Sequence, residues 1–246
     1  MPRNAKAYIA LILCAGATIL LLAARSWSSA NLLLFLVFLG FAAFSSTLKV
    51  RIPGIEGTMS PNFAFLLLAM AFCSYSQVMA ITLVAALVQS LWAAKTPRLV
   101  QVTFSAAAML VSASIAFQSS LFLFGPGPRN SPVAFVIFAG SLYLAFNTAL
   151  VAAVIGLVEG KPLAQVARIC LECVFPYFAA GILFAGMVSG AFNRSTAWAS
   201  AIALFPVAAL GYLYSVNRTA KVAPAAMESR YTNDEELVEV GTHLRR

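Results

Sequence analysis

The sequence predicts an all-α fold: a polytopic transmembrane bundle of about eight helices, the third and fourth short, with both termini on the cytoplasmic side. Three observations predict it. Of the 246 residues, 61% are hydrophobic and only 10% charged, where a water-facing domain carries about 25% charged residues. Apolar runs of roughly 20 residues recur along the chain, each long enough to cross a hydrocarbon core of about 30 Å. The acids Glu56, Glu159, Glu172, Glu228, Asp234, Glu235, Glu236 and Glu239 all fall in loops, at segment ends or in the C-terminal stretch, never mid-run. A transmembrane barrel would need alternating segments of about 10 residues instead of continuous apolar ones.

The first element, 7–24, follows Arg3 and Lys6 and is longer than the core of a secretion signal, so it reads as a retained helix. Further spans are expected near 30–47, 59–75, 77–94, 101–123, 133–157, 175–192 and 197–215. Residues 59–94 are the tight place, because about 40 residues would be wanted for two full crossings. Cys73-Ser-Tyr-Ser-Gln77 is the one plausible turn in that stretch. Two short crossings and a re-entrant hairpin both return the chain to its starting face. The segment KPLAQVARICLEC (161–173) places Lys161, Gln165, Arg168 and Glu172 on one face and reads as an interfacial helix. Pro206 would kink the last span, and Gly186 and Gly190 have the small-xxx-small spacing of close helix packing. The sequence thus divides into a membrane domain, 1–216, and a polar cytoplasmic tail, 217–246, partly disordered and too short to fold unaided. There is no internal sequence repeat.

Basic residues set the orientation. Arg3, Lys6, Lys49, Arg51, Lys95, Arg98, Lys161, Arg168, Arg218, Lys221, Arg230, Arg245 and Arg246 fall on one side, and only Arg25, Arg129 and Arg194 on the other. By the positive-inside rule both termini are cytoplasmic, in a cytoplasmic (inner) membrane. The net charge of +8 then points to anionic lipid head groups as partner and not to nucleic acid.

Residues suited to catalysis are sparse. The single histidine, His243, lies in the tail, and no carboxylate pair or His/Asp/Glu set has metal-ligand spacing. With no strands expected, no phosphate loop follows one. Cys14 and Cys73 lie in apolar runs, and the lone CxxC at Cys170 and Cys173 is weak evidence for redox or metal chemistry. No catalytic residue, metal or cofactor is therefore assigned. Ion-coupled transport lacks the intramembrane ionisable groups it uses. What remains is uncharged: Asn62, Gln77, Gln89, Gln101, Gln118 and Asn147. Each can bond a neighbouring helix; the sharper alternative gathers Asn62, Gln89, Gln101 and Asn147 around one cavity for an uncharged ligand.

The stretch LKVRIPGIEGTMSPNF, 48–63, breaks the apolar pattern. Lys49 and Arg51 suit the head-group level, Pro53, Gly54 and Gly57 make turns, and Pro61 suits the first turn of a helix. Topogenic charge and turn chemistry explain most of it. A ligand or partner surface at Arg51, Pro53, Gly54, Gly57 and Asn62 is the functional alternative.

KVRIPGIEGTMSPNF, VQSLWAAKTPRLVQVTF, FNTALVAAVIGLVEGKPL and CVFPYFAAGIL, in this order across roughly 45–215, resemble the N-terminal membrane region of bacterial signalling proteins that continue into HD-type phosphohydrolase or GGDEF domains. The matching positions are Arg51, Pro53, Gly54, Gly57, Asn62, Gln89, Gln101 and Asn147. Ser105 stands where that family's pattern suggests asparagine, and the exit VAALGYLYSVNR is less aromatic and basic than the family's. The resemblance implies a sensory or anchoring module that works through a cytoplasmic signalling protein. No output domain is present in this sequence, so the family's enzymatic activity is not carried over. A homo-oligomer and a small-molecule-binding or transport component remain open alternatives.

Overall fold

The computed structural model describes residues 1–29, 31–48, 50–51, 58–59, 62–92, 98–125 and 132–192. Among them are seven helices: α1 (Arg3–Arg25), α2 (Leu32–Thr47), α3 (Phe63–Phe72), α4 (Tyr75–Leu91), α5 (Leu99–Phe124), α6 (Pro132–Glu159) and α7 (Leu163–Phe192). Between α2 and α3 lies one antiparallel pair of two-residue strands, β1 (Val50–Arg51) and β2 (Thr58–Met59), with Val50 opposite Met59 and Arg51 opposite Thr58. This pair is a departure from the strandless expectation. The interrupting stretch folds back on itself instead of running directly into a helix. The expected eighth span, 197–215, Pro206 and the polar tail lie outside the described residues.

α1, α5 and α6 are each long and apolar enough to cross a membrane, and the two halves of α7 taken together would make a fourth. α2, α3 and α4 are shorter apolar helices. The outer surface is as greasy as the inside: Leu33 is 79% exposed, Phe122 94% and Met187 77%. In water such a surface would aggregate; against acyl chains it costs nothing.

The interfacial helix expected at 161–173 and the span expected at 175–192 are one continuous element, α7, bent by 54° between Glu172 and Tyr177. Pro176 removes one backbone bond, and flanking turns carry the helix through as a kink instead of ending it. Val166 and Cys170, on the first half, pack against Ala152 of α6. Gly186 and Gly190 both face Val133 of α6, at 3.7 and 3.2 Å from where a Cβ would stand. Their spacing serves packing within the chain.

The core gathers around α3, which touches α2, α4, α6 and α7. Every residue from Phe63 to Ala71 is at most 2% exposed. A helix apolar all round is one buried on all sides, and alternate rings show how. Phe63 packs on Phe178 (4.2 Å between centroids) and Tyr143 (5.2 Å), while Phe65 stacks on Phe41 (5.4 Å). Ten residues span only about 15 Å at 1.5 Å each.

Ser74 ends the α3–α4 turn with a reciprocal capping box: its Oγ accepts from the Gln77 N–H, and Gln77 Oε1 accepts from the Ser74 N–H at 3.0 Å. α4 then runs back antiparallel to α3. Its far end meets the start of α3, and its near end is tied to the α1–α2 connection, where Ser28 N–H donates to Ser76 Oγ (3.2 Å) and Gln77 Nε2 donates to the Ser28 carbonyl (3.2 Å).

Candidate functional site

Three polar side chains meet where α2, α3 and α4 converge at the base of this hairpin. Ser46, near the end of α2, donates its hydroxyl to the Ala42 carbonyl at 2.7 Å, the back-bond that lets serine sit in an apolar helix. Its oxygen accepts from Asn62 Nδ2 at 3.0 Å, and the same amide donates to Gln89 Oε1 at 3.1 Å. A carboxamide nitrogen carries two hydrogens, so both bonds form together. Ser46 and Asn62 are buried, and Gln89 is half-buried.

Asn62 is the residue just before α3, a position where asparagine usually caps its own helix. Here it has right-handed helical backbone angles and no capping bond, and its side chain bridges to two other helices. Away from water an amide must be paired, and cross-helix partners satisfy it. Its backbone carbonyl accepts from Leu66 N–H at 3.0 Å and so starts α3.

The sequence-derived candidates thus separate. Asn62 and Gln89 are brought together, with Ser46 as the third member. Gln101 is exposed in the first turn of α5 and Asn147 is half-buried on α6; among the described residues neither bonds to the cluster. Asn147 lies one turn beyond Tyr143 on the same face of α6, and Tyr143 touches Phe63, the neighbour of Asn62. Arg51 has its backbone paired with Thr58, and its side chain lies outside the described residues, as do Pro53, Gly54 and Gly57. Ser105 is half-buried and Gln118 exposed.

Sequence reading passed over Ser46 and the tip contacts of Gln77, Ser28 and Ser76. The spacing Ser74-x-x-Gln77 was the available sign, since it is the capping-box pattern. Nothing in the sequence around Ser46 distinguishes it from other small residues in an apolar helix.

Chemically the cluster is neutral. It holds no general acid, base or nucleophile, and what it does is fix three helices at one depth. Among the described residues no three His, Cys, Asp or Glu side chains come together as metal ligands. Comparison with protein-family models, curated proteins and solved structures gives no match.

Proposed function

We propose that this chain is a non-enzymatic, multi-pass protein of the bacterial cytoplasmic membrane, a sensory or anchoring module that acts through a cytoplasmic signalling partner. One observation carries the reading. The loop around β1 and β2 leads directly into Asn62, which joins Ser46 and Gln89 at the base of a hairpin whose first arm is enclosed by four helices. A partner that grips the loop pulls on a buried helix that touches α2, α4, α6 and α7, so an event at the surface reaches the core. The uneven split of basic residues supports placing this loop and both termini in the cytoplasm; two short crossings and a re-entrant hairpin are equally compatible with it, since both return the chain to the same face. The resemblance of 45–215 to signalling membrane regions supports the same direction.

The test is photocrosslinking in cells from a reactive residue at position 55, in the middle of the loop, with co-purification in mild detergent. Specific adducts to one cytoplasmic protein are expected. Arg51→Gln should abolish them without lowering expression or melting temperature, and Asn62→Ala, which also loses the bonds to Ser46 and Gln89, should abolish them at a lowered melting temperature. Adducts to lipid alone, with the protein emerging without companions under every crosslinking condition, would leave the stretch as architecture and sink the proposal.

A further inference from the structure

We propose that the corner between α4 and α5 binds an anionic phospholipid, with an acyl chain on Leu87, Val88, Leu91 and Trp92 and the phosphate at Arg98. The inference rests on the chain being a membrane protein. The four α4 side chains line an open apolar depression of about 320 Å³. It is no enclosed ligand cavity, because Leu91 and Trp92 are 49% and 56% exposed.

The register of α4 on α5 places the cation. Tyr75 bonds Ser114 Oγ at 2.9 Å, and Ala86 packs with Ala106 and Met109, so the helices run antiparallel. Continuing that register puts Trp92 at the height of Val100, with Arg98 at the same end. Arg98 is exposed, precedes the first turn of α5, and has no ion pair among the described residues. That turn holds no acid and no side-chain cap, so the positive end of the helix dipole adds to the guanidinium.

Charge complementarity and depth together select the occupant. Tryptophan favours the boundary between acyl chains and head groups. Leu99 and Val100, both exposed, continue the apolar surface beside it. An arginine at that boundary meets a phosphate at its own level, and anionic lipid concentrates about five-fold for each such cation. A soluble anion would fill only the Arg98 end and leave the depression bare.

The full chain is reconstituted into phosphatidylcholine vesicles holding a minor fraction of phosphatidylglycerol, with bromines on the acyl chains of one lipid or the other. Trp27→Phe with Trp198→Phe leaves Trp92 as the sole tryptophan; Trp92→Phe with Trp198→Phe leaves Trp27 at the other end of the bundle. Brominated phosphatidylglycerol should quench Trp92 about five-fold more per molecule than brominated phosphatidylcholine, and Trp27 equally by both. Arg98→Gln, and Lys95→Gln with Arg98→Gln as a stronger variant, should bring the Trp92 ratio to one at unchanged melting temperature. Equal quenching of Trp92 in the unaltered cation background overturns the site while the membrane reading stands. Trp92 protected from both lipids while Trp27 is quenched means that protein covers the depression, which also overturns it. Failure of either lipid to quench either tryptophan removes the membrane reading itself.

Discussion

Asn62 Nδ2 lies 3.1 Å from Gln89 Oε1, which closes the α3–α4 hairpin at its base across 27 residues of chain. Side-chain hydrogen bonds between membrane helices average only about 0.6 kcal/mol, but a buried group left without its partner costs about 1–3 kcal/mol. Asn62→Leu breaks both its bonds at once and should cost about 1–2 kcal/mol. The pair is best measured by a double-mutant cycle followed by thermal melting in detergent. Asn62→Leu with Gln89→Leu should show a coupling of about 0.5–1.5 kcal/mol, whereas Asn62→Leu with Asn147→Leu should be additive within about 0.5 kcal/mol. Additivity for the first pair would mean that the bond does not hold the hairpin shut.

Three glycines grade the tightness of packing. A Cβ on Gly16 would stand 2.8 Å from the Ala107 Cβ and 2.9 Å from its Cα, so α1 and α5 meet backbone to backbone. On Gly140 the intruding atoms are side-chain and not backbone: the Ile182 Cγ1 and Cδ1 at 2.5 and 2.9 Å and the Leu67 Cδ1 at 3.1 Å, so Ile182 must shift but no helix backbone need move. Around Gly40 there is nothing within 4 Å. Gly16→Ala should therefore lower the melting temperature most, with a cost of about 1–3 kcal/mol from overpacking. Gly140→Ala should cost less, and Gly40→Ala should stabilise by about 0.5–1 kcal/mol by removing backbone freedom. A Gly16→Ala protein as stable as the parent would show that α1 does not pack on α5 at this depth.

At the other end of the hairpin, Gln77 is fully buried and works in two directions, accepting from the Ser74 N–H and donating to the Ser28 carbonyl. Ser74 Oγ contributes a long contact of 3.5 Å to the Gln77 N–H and a side-chain bond to Ser76 Oγ at 3.2 Å. The usual ranking of cap residues would make Ser74→Ala the more harmful change, at about 1 kcal/mol. The geometry reverses it. Gln77→Leu should cost about 1–3 kcal/mol, since it removes one bond each from the half-buried Ser74 N–H and Ser28 carbonyl, and Ser74→Ala less. Hydrogen exchange at Ser74 distinguishes the cases: Gln77→Leu should deprotect the Ser74 N–H, which Ser74→Ala leaves bonded to Gln77 Oε1, while the Ser28 N–H, which donates to Ser76 Oγ, should change little in either.

Long helices were legible because their apolar runs have clear edges. The expectation of 101–123 became Leu99–Phe124, and 133–157 became Pro132–Glu159. Of the shorter ones, 30–47 became Leu32–Thr47 and 77–94 became Tyr75–Leu91, but α3 was not legible. The span expected at 59–75 shrank to Phe63–Phe72 because Thr58 and Met59 pair with Arg51 and Val50, and because Ser74 takes the cap of the next helix. Hydropathy alone cannot see either event, since both depend on where backbone bonds go. The boundary expected between 161–173 and 175–192 falls inside one helix instead: α7 bends there and continues. Of the candidate polar residues, the sequence carried their neutrality and their helices. It could not carry which would meet, because Asn62–Gln89 is set by the tight turn at Cys73-Ser74 and the resulting register. The same register excludes Gln101, which α5 leaves exposed at its own end.

The tip of the hairpin decides the depth of α3 and α4. Gln77 and Ser76 are tied to Ser28, so Tyr75 sits at the level of the α1–α2 connection, while Asn62 and Gln89 sit at the level of the end of α2. From Asn62 to Ser74 is about 18 Å at 1.5 Å per residue, short of a core of about 30 Å. For the membrane protein proposed above, either the bilayer thins around the hairpin or the tip stops inside the bundle and the α1–α2 connection dips to meet it. Single-cysteine variants at 28 and 75, made in a background with Cys14, Cys73, Cys170 and Cys173 replaced by serine or alanine, separate these outcomes. Because Ser28 is bonded to Ser76 and Gln77, which directly follow Tyr75, positions 28 and 75 lie at one level and should react alike with a membrane-impermeant maleimide added outside intact cells. Reaction at both, with position 95 unreactive until the membrane is opened, fits a thinned crossing with cytoplasmic Lys95. Silence at both, with position 25 labelled, fits a submerged tip. Labelling of 75 without 28, or of 28 without 75, would contradict the contact between hairpin tip and connection, and with it the fixed depth of α3 on which the Asn62 cluster depends.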